Sequence, residues 1–260
     1  MLHHEISRNG KKPLVLLHGF MENTTIWDEM EAHLSKDFIL IKIDLPGHGK
    51  SKVYQGIHTV ELMAEKVKEV IDALKLEKIN LLGHSLGGYV SLAFAEKFPE
   101  ILESMTLFFS TTLADDEEKK AIRKRSIAVI DENFETFVKT SIPNLFSNNE
   151  KDILEGKIEL AKNIAKSTNK EGVKAAQLGM AERPDRTEIL ENLDAKILII
   201  AGKYDNAVKT ENLLKIIPEK TNIKTYVLDC GHNGHWEKPT ICAEIINTEL
   251  LHNLPKHFLL

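Results

Sequence analysis

Short, almost uniformly apolar runs, separated by amphipathic helical patterns, constrain the fold of this chain more than any other feature. The runs cover residues 14–17, 38–43, 79–82, 105–109, 197–201 and 226–228. Strands of this composition are usually buried on both faces, as in a parallel sheet that helices cover on either side. The alternation of strand and helix therefore predicts a protein of the α/β class.

Three helices can be located from spacing and capping. Residues 59–76 place apolar side chains three and four positions apart, and Thr59 is available as the N-cap of this crossover helix. A second helix is predicted from Leu86 to about Phe98, where Pro99 stops it. A last helix is predicted to begin at Pro239 and to end near Pro255.

The stretch from about residue 111 to residue 190 has a different character. Charge-rich helical patterns follow one another there, with no convincing strand among them. We interpret residues 111–190 as a helical cap subdomain, inserted into a core made of residues 1–110 and 191–260.

Several apolar or aromatic residues could line a substrate pocket. They are Phe134, Phe137, Leu145, Phe146 and Met180 in the insertion, with His235 and Trp236 near the end of the chain. For the insertion residues the same spacings also suit packing of the cap against itself, and packing is the commoner role for any one of them.

Composition limits the kind of partner. With 260 residues, 42% of them hydrophobic, the chain can bury a core without a disulfide or a metal. A net charge of −5 gives no reason to expect a nucleic-acid partner, and no apolar run approaches the roughly 20 residues that cross a bilayer. We expect a small-molecule, ester-like substrate, no cofactor and no membrane partner; the oligomeric state stays open.

The cysteines and the start of the chain bear on the compartment. Cys230 and Cys242 cannot form a disulfide framework, and the first residues lack the basic and apolar regions of a secretory signal. Free thiols in a reducing cytoplasm are the expectation.

The run at residues 79–82 leads into Gly83-His84-Ser85-Leu86-Gly87, which a helical pattern follows. This Gly-x-Ser-x-Gly motif, between a strand and a helix, is typical of a nucleophile elbow, whose strained turn exposes a serine hydroxyl. Gly83 and Gly87 leave room for the neighbouring backbone. The motif predicts Ser85 as a nucleophile, against the alternative of an ordinary glycine-rich turn.

A nucleophilic serine needs N–H donors for the oxyanion that its attack creates. One is the backbone N–H of Leu86, at the N-terminus of the helix that follows Ser85. The run at residues 14–17 ends in His18-Gly19-Phe20, where the chain must turn, and Phe20 N–H is the expected second donor. We expect His18 to tie this loop by hydrogen bonding rather than to act in catalysis.

The acid and the base of a triad are expected after the serine, in that order. The run at residues 197–201 leads to Asp205, at the strand end where open α/β sheets carry their ligands. The run at residues 226–228 leads to two histidines, of which His232 is the predicted base and His235 the alternative. An acid on one ring nitrogen holds the imidazole in the tautomer that takes the serine proton.

Other roles for the histidines are less favoured. His84 neighbours the serine, but adjacent side chains at a strand end point apart, so we expect His84 to pack. His232 and His235 also have the spacing of metal ligands. No carboxylate or cysteine completes a convincing set in the sequence, so no metal is expected.

Together these residues resemble the serine-nucleophile branch of the α/β-hydrolase superfamily, which includes carboxylesterases and 3-oxoadipate enol-lactonases. Residues 44–51 are similar to the family's glycine-rich loop after its fourth strand, and residues 179–185 look like the cap exit of those enzymes. Gly231-His232 followed by Glu237-Lys238-Pro239 looks like the family's histidine loop, which favours His232 over His235. The resemblance implies the α/β-hydrolase fold, with the usual first strand missing or short.

Ser85 also limits the reaction. Haloalkane dehalogenases and epoxide hydrolases share the fold but use an aspartate at the elbow, whereas a serine attacks a carbonyl carbon. The prediction is hydrolysis of a small carboxylic ester or lactone through an acyl-enzyme. A thioesterase or a carbon–carbon bond hydrolase could use the same triad. A ligand receptor or partner-binding protein of this fold is the alternative from another class.

Overall fold

A seven-stranded sheet forms the centre of the molecule in the computed structural model, which describes residues 1–7 and 10–251. Its strands are β1 (His4–Ser7), β2 (Lys12–Leu17), β3 (Phe38–Ile43), β4 (Ile79–His84), β5 (Leu102–Phe108), β6 (Lys196–Gly202) and β7 (Ile223–Leu228). They lie in the order β1-β3-β2-β4-β5-β6-β7. Only the pair β1 and β3 is antiparallel among the strand pairs of the described residues. This is the predicted mostly parallel sheet.

The apolar runs correspond to strands β2 to β7, with their ends shifted by a few residues. Strand β1 is not among the apolar runs, because its four residues are half-buried or exposed, as suits a short strand at the sheet edge. The expectation that every run is buried on both faces is wrong for β7. This strand forms the opposite edge, and 43% of Val227 is exposed.

Alternating side chains of the strands divide the core into two layers. In β2, Val15 and Leu17 point into one layer, which also holds most of the buried side chains of the helices at residues 60–73 and 86–97. Leu14 and Leu16 point into the other, which includes buried residues of the last helix and of the stretch between residues 111 and 190. A strand that serves two layers must be apolar on both faces, which explains the uniform runs.

The helices are α1 (Asp28–Glu31), α2 (Val60–Ala73), α3 (Leu86–Lys97), α4 (Glu117–Ser141), α5 (Glu155–Ser167), α6 (Lys170–Glu182), α7 (Glu188–Asn192), α8 (Thr210–Leu214), α9 (Gly234–Glu237) and α10 (Pro239–Leu251). Thr59 caps α2 as predicted, because its side chain accepts from Leu62 N–H. Helix α3 ends one residue before Phe98. Helix α10 begins at Pro239, and its predicted end near Pro255 lies outside the described residues.

The chain between β5 and β6 is helical, with no strand between residues 111 and 190. Helix α4 is kinked at Asn133, whose φ of −155° and ψ of 81° are not helical. The Asn133 side chain accepts from Thr136 N–H at 2.9 Å, so it caps the second half of the helix. The division into a core and a cap at residues 111 and 190 stays a prediction.

The parallel register brings four loops to one edge of the sheet. Leu17 pairs with Gly83, so the loop after β2 lies beside the elbow after β4. Gly202 pairs with Leu228, so the loops after β6 and β7 are neighbours as well. Parallel strands end at the same edge, and these four loops carry the predicted site residues.

Two further observations concern the cysteines and the length of the helices. Cys230 and Cys242 are buried and unpaired. Within residues 1–7 and 10–251, no helix has the length and apolar character needed to cross a membrane.

Candidate active site

Ser85 lies on the sharp turn between β4 and α3. Its φ of 49° and ψ of −110° are strained for a residue with a side chain. The turn is held by Ser85 N–H, which donates to Phe108 O at 3.0 Å, and by Ser110 Oγ, which donates to Ser85 O at 2.8 Å. A Cβ atom at Gly83 would lie 2.2 Å from the backbone of Gly87, so only glycine fits there. The strained turn of the predicted elbow is therefore present.

The loop after β2 is the expected oxyanion loop, which we define as residues 18–22. His18 Nδ1 donates to Gly19 O at 2.7 Å, and its Nε2 accepts from Leu45 N–H at 2.9 Å, so His18 ties loops together as expected. The backbone N–H groups of Phe20 and Leu86 have no hydrogen-bond partner within the described parts of the chain. Both amides are thus free to donate to a ligand.

His232 and Asp205 are brought together across the ends of β6 and β7. The Nδ1 of His232 donates to Oδ2 of Asp205 at 2.7 Å, and both residues are buried. The other carboxylate oxygen of Asp205 accepts from the backbone N–H groups of Ala207 and Val208, at 2.7 and 2.8 Å. It is His232, and not His235, that lies within hydrogen-bond distance of the acid.

Ser85 and His232 line the same cavity, whose volume is about 830 Å³. Its wall also contains Phe20, Phe137, Leu145 and Met180, so three of the predicted pocket residues of the insertion line this cavity. Ligand pockets for small molecules have volumes of roughly 300–1,000 Å³. The cavity is therefore large enough for a small organic substrate.

Four of the predicted pocket residues, Phe134, Phe146, His235 and Trp236, are not among the residues that line this cavity. Phe146 is fully buried and stacks on Trp236, with ring centroids 6.0 Å apart. Phe134 packs against the core from the side of the insertion. His235 is enclosed by the rings of Trp27 and His84. The periodicity of a sequence does not distinguish the face of a helix that lines a cavity from the face that packs in the core. The pattern therefore could not show that these side chains pack in the core.

His84 does more than pack, contrary to expectation. Its Nδ1 donates to Glu22 Oε2 at 2.8 Å, and its Nε2 donates to the carbonyl oxygen of His232 at 3.0 Å. Burial opposes charge on both partners, but their mutual attraction and hydrogen bonding prevail. The pKa of His84 is raised above its usual value, and the pKa of Glu22 is lowered to about 2. The two residues form a buried ion pair.

The structure brings the carboxylate of Glu22 near His84 and His235. Ligand atoms of Glu22, His84 and His235 lie within 4.8 Å of one another. These residues nevertheless do not fit a metal ion, because both ring nitrogens of His84 already donate hydrogen bonds and leave no lone pair for coordination. His235 remains neutral, since burial and the charge of His84 lower its pKa well below the usual value.

A second charged group lies in the cavity wall, on the side of the insertion. Asp115 accepts from the guanidinium of Arg123 and, at 2.9 Å, from Nη2 of Arg183. Burial alone would raise the pKa of Asp115, but the two arginines lower it to about 2. Nη2 of Arg123 has no hydrogen-bond partner among the residues that the structure describes. One carboxylate thus serves two arginines, and part of Arg123 stays available.

The sequence patterns did not predict three residues of the cavity wall, which are Glu22, Asp115 and Arg123. Glu22 lies 62 positions from His84, and Arg183 lies 68 positions from Asp115, so no local spacing pairs them. The one signal was the cap-exit resemblance around Arg183. Contacts between distant loops depend on the register of the sheet, which a single sequence does not reveal.

The strained serine, the buried histidine and acid, and the two free amides together define a hydrolase-type site on an α/β sheet. The family model described as the alpha/beta hydrolase fold matches residues 12–239. The chain belongs to this family.

Similar proteins of known structure agree on the fold. A thermophilic esterase from Thermogutta terrifontis, determined with malate bound, has 32% sequence identity and a TM-score of 0.91, over 96% of this chain and 93% of the other. The enol-lactonase of Burkholderia xenovorans LB400 has a TM-score of 0.89 at 20% identity, over 96% of each chain. The latter identity is low enough that the likeness concerns the fold alone.

A relative from Escherichia coli strain K12 is named 2-hydroxy-6-oxononadienedioate/2-hydroxy-6-oxononatrienedioate hydrolase. It is 26% identical over 249 residues, which cover 91% of this chain and 86% of the relative. Members of the family that resemble this chain therefore include both an esterase and a hydrolase of oxo-dioates.

Proposed function

We propose that this protein is a serine hydrolase that cleaves a small carboxylic ester or lactone through an acyl-enzyme. The observation that carries the proposal is the hydrogen bond of 2.7 Å between His232 and Asp205, together with the cavity that His232 and Ser85 both line. The esterase from Thermogutta terrifontis, at 32% identity, supports the choice of an ester as substrate.

The reaction follows from the roles of these groups. Ser85 Oγ attacks the carbonyl carbon while Nε2 of His232 takes its proton, and Asp205 stabilises the resulting imidazolium. The N–H groups of Phe20 and Leu86 donate to the oxyanion. The imidazolium then protonates the leaving alcohol as the carbon–oxygen bond breaks. Water, deprotonated by His232, attacks the acyl-enzyme and releases the acid.

The direct test is substitution of Ser85 by Ala. We expect kcat on p-nitrophenyl acetate or butyrate to fall by at least about 10³-fold, because the nucleophile is lost. A fluorophosphonate probe should label the wild-type protein and leave the Ala variant unlabelled. Full activity of the variant would overturn the assignment. A folded wild-type protein that resists the probe, yet binds a ligand tightly without cleaving it, would favour a receptor instead.

A second candidate is hydrolysis of a carbon–carbon bond in an oxo acid. It is favoured by the Escherichia coli relative, whose named substrates are dioates, and by Arg123, whose unpartnered Nη2 suits a carboxylate. A panel of esters, lactones, thioesters and vinylogous diketo acids separates the candidates. The class with the highest kcat/KM identifies the reaction, and activity on diketo acids alone would exclude the esterase proposal.

A further inference from the structure

The ion pair of Glu22 and His84 contacts three parts of the candidate site. Glu22 belongs to the oxyanion loop, where its Oε2 also accepts from Gly19 N–H at 2.5 Å. His84 is the last residue of β4 and directly precedes Ser85. The far side of its ring donates to the carbonyl oxygen of His232. A continuous path of hydrogen bonds therefore runs from the oxyanion loop, beneath the nucleophile, to the backbone of the base.

The protonation state of His84 follows from the two oxygen atoms that its ring nitrogens contact. A carboxylate oxygen and a carbonyl oxygen have no hydrogen to donate, so both nitrogens of His84 must carry one. The ring is therefore an imidazolium, and Glu22 is its counter-charge. Hydrogen bonds between charged groups are roughly twice as strong as neutral ones, and they position their partners more firmly.

Both residues of this pair are buried, and both also lie in the wall of the cavity. The rings of Trp27, Phe108 and Phe109 lie 5.9–6.5 Å from the His84 ring, centroid to centroid. The titratable groups that face it are the His232 ring at 5.0 Å and the His235 ring at 4.7 Å, and the Asp205 carboxylate acts on His84 through its charge. In a site of low dielectric, breaking the pair is costly.

We propose that Glu22 and His84 are positioning residues, which hold the oxyanion loop and the backbone of His232 in their places around Ser85. The inference rests on the proposed hydrolase function and deepens it. Neither residue is required to touch the reacting atoms. Their effect is on the distance between the Phe20 N–H, the Ser85 hydroxyl and the His232 ring, and misplacement of such groups by about 1 Å can cost 10²-fold in rate.

The test compares two substitutions of Glu22. Glu22→Ala removes the acceptor of both Gly19 and His84, and we expect kcat on p-nitrophenyl butyrate to fall about 10²-fold while KM changes less than about threefold. Glu22→Gln can keep both hydrogen bonds without the charge, because one amide oxygen in the place of Oε2 can accept from Gly19 N–H and from Nδ1–H of His84. The kcat of Glu22→Gln should therefore be at least about tenfold higher than the kcat of Glu22→Ala.

His84→Gln is the second probe, in case Glu22→Ala does not fold. A glutamine at this position reaches only one of the two acceptors, so kcat should fall at least about tenfold. The control is Arg186→Gln, which removes the ion pairs of the buried Arg186 side chain with Glu61 and Glu96, outside the cavity. It should lower the melting temperature and leave kcat unchanged.

The possible outcomes distinguish a failure of the positioning role from a failure of the proposed hydrolase function. If the wild type is active, Ser85→Ala is inactive and Glu22→Ala keeps kcat within threefold, the positioning role is wrong and the hydrolase stands. The role is equally wrong if Glu22→Gln is as slow as Glu22→Ala. If the wild type cleaves nothing in the panel and resists the fluorophosphonate, the proposed function itself fails.

Discussion

At the scale of single residues, the acid of the site is held in one orientation by three donors. Asp205 receives two backbone N–H groups on one oxygen and the His232 Nδ1–H on the other. The carboxylate therefore has one oxygen left for the imidazole, and that oxygen can only accept. The imidazole in turn keeps its Nε2 lone pair directed away from the acid and available for a proton.

This arrangement predicts a large effect of Asp205→Asn with little change in fold. The Asn oxygen would keep the two backbone donors, which turns the amide N–H₂ group towards His232. Nδ1 must then accept, the proton moves to Nε2, and the ring can no longer take the serine proton. We expect kcat to fall about 10²–10⁴-fold. Steady-state kinetics beside circular dichroism check this, and a folded variant with more than a tenth of the wild-type kcat would contradict it.

At the scale of elements, helix α6 of the insertion packs directly on the core with almost no side chain between the backbones. His58 N–H donates to Ala175 O at 3.1 Å, although these groups lie in a loop before α2 and in the middle of α6. A Cβ atom at Gly179 would lie 1.9 Å from the His58 carbonyl oxygen. This close approach places Gln177 and Met180 of the same helix at the cavity.

Two glycine substitutions in the insertion should therefore have opposite effects. Gly179→Ala forces the helix away from His58, and we expect a loss of about 2–3 kcal/mol in the free energy of unfolding, as for other overpacked sites. Gly156→Ala, in helix α5, meets no atom within 4 Å and should stabilise by about 0.5 kcal/mol. Urea titrations measure both. Equal effects of the two substitutions would show that the contact of α6 with the core contributes nothing.

At the scale of the whole molecule, Asp115 joins the beginning of the insertion to its end. It lies just before α4 and is bound by Arg183, which follows α6 and also donates to Leu113 O at 3.0 Å. The guanidinium of Arg183 covers the ring of Tyr89 on α3, 3.9 Å from its centroid. One buried carboxylate thus connects both ends of the insertion with the core.

This connection predicts a dependence of stability on pH. The pKa of Asp115 is lowered from 3.8 to about 2, so its contribution is fully present above pH 3.8 and is lost as the pH falls to about 2. The contribution is at most about 2 kcal/mol. The difference in unfolding free energy between the wild type and Asp115→Asn should shrink between pH 5 and pH 2.5. A difference that does not change with pH would refute this linkage.

Much of this protein follows from local sequence, because the features concerned depend on neighbours along the chain. The apolar runs determined strands β2 to β7, Thr59 and Pro99 determined where helices begin and end, and Gly83 to Gly87 determined the strained turn of Ser85. The apolar runs leave out β1 and overstate the burial of β7, since an edge strand is buried less than the central strands of a sheet.

Only the tertiary structure decided which distant groups meet. It joined Asp205 to His232, the histidine that the family resemblance already favoured over His235, and it paired Glu22 with His84 next to Ser85. It also assigned Phe137 to the cavity and Phe146 to the core, although both have similar spacing in the sequence. The physical reason is that sheet register and the packing of the insertion bring together residues far apart in the chain, and no periodic pattern encodes such pairs.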